Sequence, residues 1–335
     1  AIVSKFNPSG SALIYSTYVG GDRGENTVRS VARAGRIAVD AAGNAYVAGE
    51  TNSTNFPVTP DALDSTYADN LSHPSDAFYV KLGPTGQLLY GTYIGGDNYE
   101  YTTGIAVDAA GNVYVSGASN SPAASFPQTA NAYDGDSTLD DLFLIKFNAS
   151  NVRVYSTFLG GIGRELANQD RGGLAIDDQG NAYVVGDTYS TDFPIVNGAQ
   201  TTFNATFDVF LAKIDTTKNG AAGLVYSTLL GGPGDDRATG VAYAGNGQVV
   251  VVGNTEAGFP VKNAFQSAHG GSLPNHDDGF VAKFDTTQTG GASLLFSTFF
   301  GGNHHDIIED VAVDAAGNIH IVGYSSSPAN FPLVD

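Results

Sequence analysis

The chain of 335 residues contains no cysteine, no methionine and no tryptophan. The missing cysteine excludes disulfides, thiol nucleophiles and thiolate metal ligands. Because methionine is missing too, we expect Ala1 to be a processed terminus or the edge of a longer protein. A signal peptide cleaved before a small residue is one explanation, and it favours a location outside the cytoplasm.

Positive charge and long apolar runs are also scarce. The 15 Lys and Arg residues face 34 Asp and Glu residues, which gives a formal net charge of −19. This balance argues against nucleic acid or anionic lipid as a partner. No apolar run reaches the length of about 18 residues that a membrane helix needs, so we expect no membrane insertion. Hydrophobic residues still make up 42% of the chain, which is enough for a globular core.

Repetition is what the chain has in abundance. A Gly-Gly pair that follows an aromatic-rich strand recurs about every 65–75 residues, and a Phe-Pro pair follows it each time. Repeats of this length are typical of propellers, solenoids and arrays. The Gly-Gly pairs are Gly20-Gly21, Gly95-Gly96, Gly160-Gly161, Gly231-Gly232 and Gly301-Gly302.

Each repeat has the pattern of four short strands. In the second copy, Gly104–Asp108 and Val113–Gly117 flank the turn sequence Ala-Ala-Gly-Asn, which predicts a tight hairpin. Asp141–Phe147 and Val152–Phe158 predict the third and fourth strands. Four antiparallel strands are typical of one propeller blade. No segment has a sustained helical period, so we expect almost no helix.

The two ends of the chain complement each other. The chain opens with a third and a fourth strand in residues 1–18, and it stops after a first and a second strand. If residues 1–18 pair with 318–324, the chain forms one all-β domain, 1–335. That domain is a five-bladed β-propeller of four-stranded antiparallel blades, closed by N-terminal strands that complete the last blade. An open piece of a longer array is the alternative. The predicted blades cover about 34–93, 104–158, 173–229, 240–299, and 311–335 plus 1–18.

Three phrases recur in order along the chain: Leu88–Gly96, Gly104–Val115 and Asp141–Lys146 in the second copy. They resemble the bacterial β-propeller repeat family SBBP over nearly the whole chain. The resemblance implies a propeller of prokaryotic secreted or cell-surface proteins, commonly a module within a long multidomain chain. The family brings no established catalytic residues, so none are assigned.

The loops that follow each Gly-Gly pair are rich in carboxylates. In a ring these loops converge near the channel mouth, where hard oxygen ligands suit Ca²⁺. The alternative, that these acids cap turns or are solvated, is favoured because no loop matches an EF-hand or a Gly-Gly-x-Gly-x-Asp pattern. No cofactor is required in that case. The calcium candidates are Asp22, Glu25, Asp97, Glu100, Asp235, Asp236, Asp306 and Asp310.

Two other sets of polar residues attract attention. The Asp that opens each third strand and the Lys five positions later recur from blade to blade, as in Asp208 and Lys213. Recurrence in every blade indicates a structural role, such as an interblade hydrogen bond or ion pair. His304 and His305 form a cluster that His269 and His276 join only distantly, and adjacent residues of a strand point to opposite faces. A zinc site is therefore disfavoured.

No nucleophile elbow, phosphate loop or nucleophile–base pair stands out, so we expect no enzyme. The sequence favours a non-catalytic extracellular or cell-surface module in structural assembly, adhesion or protein interaction, with protein subunits or surface components as partners. A lectin-like, carbohydrate-binding propeller is the alternative, in which the exposed aromatics Tyr99, Tyr101, Tyr189 and Phe203 stack on glycans. A glycosidase ranks third, because no carboxylate pair is singled out.

Overall fold

The computed structural model describes residues 1–25, 35–68, 75–135, 137, 139–166, 172–204, 206–256, 258–271, 276–328 and 330–333. The chain divides into two compact units, unit 1 (Ala1–Leu159) and unit 2 (Gly160–Asp335). Of the predicted blade bounds, residues 34 and 335 lie outside the described residues.

Unit 1 contains one two-stranded and two four-stranded antiparallel sheets among its described residues. The two-stranded sheet consists of β1 (Ile2–Phe6) and β2 (Leu13–Tyr18). The first four-stranded sheet follows chain order: β3 (Arg36–Val39), β4 (Ala45–Thr51), β5 (Asp76–Leu82) and β6 (Leu88–Ile94). The second does the same: β7 (Glu100–Val107), β8 (Val113–Ser119), β9 (Asp141–Phe147) and β10 (Arg153–Leu159).

Unit 2 has the same composition of sheets over its described residues. Its first four-stranded sheet consists of β11 (Gly173–Ile176), β12 (Ala182–Thr188), β13 (Asp208–Ile214) and β14 (Leu224–Leu230). The second consists of β15 (Asp236–Tyr243), β16 (Gln248–Thr255), β17 (Asp278–Asp285) and β18 (Leu294–Phe300). The two-stranded sheet consists of β19 (Asp306–Val313) and β20 (Ile319–Ser325).

Four of the predicted blades are confirmed as four-stranded antiparallel sheets with neighbours in chain order. The strands assigned to the fifth blade lie in two separate two-stranded sheets, β1–β2 and β19–β20, so closure of the ring stays a prediction. The helices within the described ranges are two short 3₁₀ turns, Gly220–Gly223 and Gly290–Ala292. Neither these nor any other helix of the described part has the length and apolar character of a membrane span.

The hairpin between the first and second strands is shaped by its Asp-x-x-Gly-Asn sequence. Asp108 accepts the N–H of Asn112 at 2.8 Å and the side-chain amide of Asn112 at 2.6 Å. Gly111 has φ of 80°, a left-handed conformation that glycine adopts without steric cost. The fourth copy has Ala244 in place of Asp and turns instead through Gly245, Asn246 and Gly247, which all have positive φ.

The core of each unit consists of apolar side chains from both of its four-stranded sheets. In unit 1, buried Tyr46 and Tyr79 of the first sheet belong to one cluster with Val115 and Phe143 of the second. In unit 2, Tyr183 and Val209 belong to one cluster with Val251 and Phe280. Removal of these side chains from water provides the main driving force for packing sheet on sheet.

The recurring Lys of the third strand packs over a Tyr ring of the second strand. In unit 2, Lys213 Nζ lies 5.0 Å from the centre of the Tyr183 ring and 3.3 Å from Asp177 Oδ2. Unit 1 has the same arrangement, with Lys81 over Tyr46 at 5.1 Å and Lys146 over Tyr114 at 4.8 Å. These contacts support the structural interpretation of the Lys, but they lie within one sheet rather than between blades.

Candidate functional site

Two acidic residues begin strands on either side of a Gly-Gly turn. One opens the third strand of a sheet and the other opens the first strand of the next sheet. The second acid follows five positions after the first glycine, as Glu100 follows Gly95. We call these two residues a junction pair. The junction pairs within the two units are Asp76 with Glu100, Asp208 with Asp236, and Asp278 with Asp306.

In unit 1, the junction pair converges on Gly95. A Cβ atom placed on Gly95 would lie 2.8 Å from Glu100 Oε2 and 2.9 Å from Asp76 Oδ1. Both acids are fully buried. The absence of a side chain at Gly95 is therefore what allows the two carboxyl groups to approach the turn.

Unit 2 repeats this geometry twice. A Cβ atom on Gly231 would lie 2.7 Å from Asp208 Cγ and 2.8 Å from Asp236 Oδ2. A Cβ atom on Gly301 would lie 2.7 Å from Asp278 Oδ1 and 2.9 Å from Asp306 Oδ2. All four of these acids are buried. The close approach is thus a property of the repeat and explains why the first glycine of each of these pairs is glycine.

The acid of the first strand is held by hydrogen bonds to its carboxyl group. The N–H of the second glycine donates to Glu100 Oε2 at 3.3 Å, to Asp236 Oδ2 at 2.7 Å and to Asp306 Oδ2 at 2.6 Å. A hydroxyl group adds a second bond, from Ser119 to Glu100 at 2.6 Å and from Ser327 to Asp306 at 2.8 Å. These acids therefore cap the Gly-Gly turn.

The Asp of the third strand is less completely satisfied. One carboxyl oxygen accepts a backbone N–H: Asp76 from Ala68 at 3.2 Å, and Asp208 from Asn204 at 3.1 Å. Asp278 accepts the N–H of Gly270 at 2.7 Å. The other oxygen, Oδ1, is buried in all three residues and has no hydrogen bond to any residue that the structure describes. Near Asp278 Oδ1 lies His269, whose Nε2 is 3.7 Å away.

Burial sets the ionisation of the junction pairs. Burial, reinforced by the Glu100 carboxyl group, raises the pKa of Asp76 to about 9. Burial also raises the pKa of Glu100 to about 8, against the hydrogen bonds it accepts. In unit 2, burial raises the pKa of Asp236 to about 8 and that of Asp208 to about 6. Burial raises the pKa of Asp278 as well, and Asp306 adds to the rise.

The structure divides the eight calcium candidates into two kinds. Glu25, Glu100, Asp236 and Asp306 occupy the equivalent position, and each accepts the N–H of the second glycine of its turn. The other four face elsewhere: Asp22, Asp97 and Asp310 are exposed, and Asp235 pairs with Arg237 at 3.0 Å. No group of three or more His, Asp or Glu residues within the described ranges is placed to hold a metal ion. Calcium binding stays a prediction.

The aromatic residues proposed for sugar stacking are not all exposed. Tyr99 is 8% exposed and Tyr101 only 2% exposed, so neither can present a ring face to a ligand. Their prediction as exposed residues is wrong, because β7 begins at Glu100 rather than at Gly104 and draws this segment into the sheet. Tyr189 packs edge-on against Phe207, with the ring centres 4.4 Å apart.

The loop before β19 brings histidines together that lie far apart in the sequence. The His276 ring centre lies 5.2 Å from that of His304 and 4.6 Å from that of His305. His305 Nδ1 accepts the N–H of Asp277 at 3.2 Å. In the sequence, 28 positions separate His276 from His304, so no local pattern predicts their approach. The cluster is visible only in the structure, where the described His276 lies beside the loop before β19.

Comparison with known families supports the sequence resemblance. The beta-propeller repeat called SBBP matches residues 14–57, 89–122 and 172–194. The first two matches include the Gly-Gly turns of unit 1, and the third includes the first hairpin of unit 2. The resemblance to this repeat family is thereby confirmed. No curated protein matches the chain significantly.

Proposed function

We propose that this chain, which carries the repeats of the SBBP beta-propeller family, is a non-catalytic interaction module of the cell surface or the extracellular space. The polar residues that recur between repeats support the non-catalytic part of this proposal, because their contacts stabilise the sheets and turns. The recurring Lys packs over a Tyr ring, and the first-strand acid of each junction pair accepts a hydrogen bond from its Gly-Gly turn. What varies between repeats is the long connection from the second to the third strand. Variable loops on a rigid scaffold are typical of binding surfaces.

The observation that supports the proposal best is an exposed aromatic ring in one of these connections. Phe265, between β16 and β17, is 71% exposed, and Val261 of the same connection is exposed as well. Exposed apolar side chains suit a protein partner, since aromatic residues are enriched at protein interfaces. The burial of Tyr99 and Tyr101 weakens the carbohydrate alternative.

The test is site-specific photo-crosslinking on intact cells of the source organism. A photoreactive phenylalanine analogue in place of Phe265 is expected to give discrete covalent adducts with a protein partner, and excess unmodified module should suppress them. The control carries the same analogue at Gln179, an exposed residue of the short β11–β12 turn. Equal adducts from both positions, or none from Phe265, would contradict the proposal.

We also propose that β1–β2 completes β19–β20 as a fifth blade. In complete sheets the second strand is covered, as in β12, where every residue is buried. By contrast, β20 leaves Val322 64% and Tyr324 55% exposed. Beside β20 lies a largely apolar cavity of about 380 Å³, lined among others by Phe300 and Phe331. This surface suits a third strand with apolar residues.

Charge supports β1 as that third strand. In the β11–β14 sheet, Lys213 pairs with Asp177 and stands opposite Tyr183. The equivalent positions of the two-stranded sheets hold Lys5, Asp314 and His320. The register of the complete sheet would therefore place Lys5 opposite His320 and Ser4 opposite Ile321.

An engineered disulfide tests this pairing, because the chain has no other thiol. The double variant Ser4→Cys/Ile321→Cys is expected to form an intramolecular disulfide on oxidation, visible as a faster-migrating monomer on a non-reducing gel. Residues directly opposite each other in a sheet fall within disulfide range. The control pair, Ser4→Cys/Val322→Cys, puts the thiols on opposite faces and should remain reduced. Absence of the cross-link, or a cross-linked dimer, would show that the ring does not close within one chain.

A further inference from the structure

We propose that the junction pairs are proton-binding sites, in which two buried carboxyl groups share one proton beside the Gly-Gly turn. The pairs are Asp76 with Glu100, Asp208 with Asp236, and Asp278 with Asp306. The bound proton takes the place that a metal ion or a basic side chain would otherwise occupy. The module is consequently held together more firmly in acid than in alkali.

The hydrogen-bond geometry is the basis of this inference. Oδ1 of Asp76, Asp208 and Asp278 is buried without a hydrogen bond to any described residue, and it lies beside the same glycine as an oxygen of the second acid. Ionised carboxylates only accept hydrogen bonds, so two of them facing each other repel. A single proton gives the pair one donor and one acceptor. The burial of an unmatched carboxylate is thereby avoided.

Among the described residues, the charged groups nearest to the pairs do not offer another solution. Those that act most strongly on the first pair are acids, Asp64 and Asp97. Asp235 acts in the same sense on the second pair. The third pair has His269 beside Asp278, and the imidazole lowers the pKa of that carboxyl group in part. The two carboxyl groups of a junction pair also provide fewer oxygen ligands than Ca²⁺ needs, which is roughly six to eight.

The direction of the pKa shifts agrees with the geometry. Because the pKa values of Glu100 and Asp236 are raised to about 8, the first two pairs retain at least one proton at neutral pH. The unfolded chain loses these protons near the ordinary carboxyl pKa of 3.8 to 4.5. Between these limits the folded state binds more protons than the unfolded state. Stability is therefore fully present in acid and falls as the pH rises through the folded-state pKa values.

The experiment compares wild type with Asp208→Asn in urea unfolding at a series of pH values from 4 to 9. An Asn side chain mimics the protonated Asp, since its amide donates a hydrogen bond but never ionises. The pKa of Asp208 rises from 3.8 to about 6 on folding. The ratio of the variant's folding equilibrium constant to that of wild type should therefore rise about fiftyfold between pH 4 and pH 7. The matched control is Asp178→Asn, an exposed acid of the same unit, whose ratio to wild type should stay constant.

A purely structural role for Asp208 would make the variant weaker by the same factor at every pH, and that result would overturn the proposal. Infrared spectroscopy of wild type supplies a readout that does not depend on the variant. A band of protonated carboxyl groups is expected at pH 7 and should be absent from the unfolded chain. A parallel series with excess Ca²⁺ distinguishes the occupants: if Ca²⁺ restores stability at pH 9 and removes the band at pH 7, the pairs are cation sites instead.

Discussion

Replacing Gly231 with alanine is expected to destabilise unit 2 by about 3 kcal/mol. The new methyl group would lie 2.7 Å from Asp208 Cγ and 2.8 Å from Asp236 Oδ2, closer than van der Waals contact permits. Neither acid can easily move aside, because both are buried and begin strands of neighbouring sheets. The loss should appear as a lower midpoint of urea unfolding, measured by circular dichroism at pH 5.

The matched control is Gly291→Ala in the same unit. No atom lies within 4 Å of a Cβ placed on Gly291, and its backbone has no positive φ. This variant should stay within about 0.5 kcal/mol of wild type. Combining Gly231→Ala with Asp208→Ala removes one side of the clash. The double variant should therefore lose less stability than the sum of the losses of the two single variants. If Gly231→Ala loses no more stability than the control, the two carboxyl groups do not approach Gly231 as closely as described.

The second large effect is expected from Phe259→Ala, which should cost about 3–5 kcal/mol. Phe259 belongs to a Phe-Pro pair, and its buried ring lies 4.7 Å from the ring of Phe280 in β17. It also meets Phe299 in β18 edge-on at 5.9 Å. The ring therefore anchors the β16–β17 connection to the third and fourth strands of its own sheet. Its removal leaves a cavity that the neighbouring strands cannot fill.

Phe265→Ala provides the comparison, because Phe265 lies in the same connection but is largely exposed. Thermal unfolding of this variant should be indistinguishable from that of wild type. A drop in melting temperature for Phe259→Ala no larger than for Phe265→Ala would mean that the Phe-Pro pair does not anchor the connection.

The strands themselves could be predicted from the sequence, because alternation and turn chemistry are local signals. The sequence predicts Asp141–Phe147 as a third strand, and β9 has the same bounds. The turn before Val113 was predicted from its Gly and Asn, and the structure has the expected positive φ at Gly111. The start of β7 was missed, since the polar sequence Glu100–Thr103 has no apolar alternation and is buried only by packing between sheets.

The junction pairs could be predicted only in part. The acid five positions after the first glycine is visible as a repeat, and Glu100 and Asp236 stand out in the sequence as loop carboxylates. Their partners Asp76 and Asp208 belong to a different pattern, the Asp that opens each third strand. No local pattern joins the two sets, because 24 positions separate Asp76 from Glu100 and the two acids approach Gly95 from different sheets. The approach of His276 to His304 was missed for the same reason.

The position of the junction pair has a consequence for how the chain can be divided. Asp76 and Gly95 belong to one sheet, whereas Glu100 begins the next. A fragment cut between Gly96 and Glu100 would separate two acids that are buried together, and each would then meet water alone and ionise near its ordinary pKa. Each junction pair thus joins residues of two successive sheets, whereas strand pairing stays within one sheet. Neighbouring repeats are therefore connected by buried acids as well as by apolar contacts.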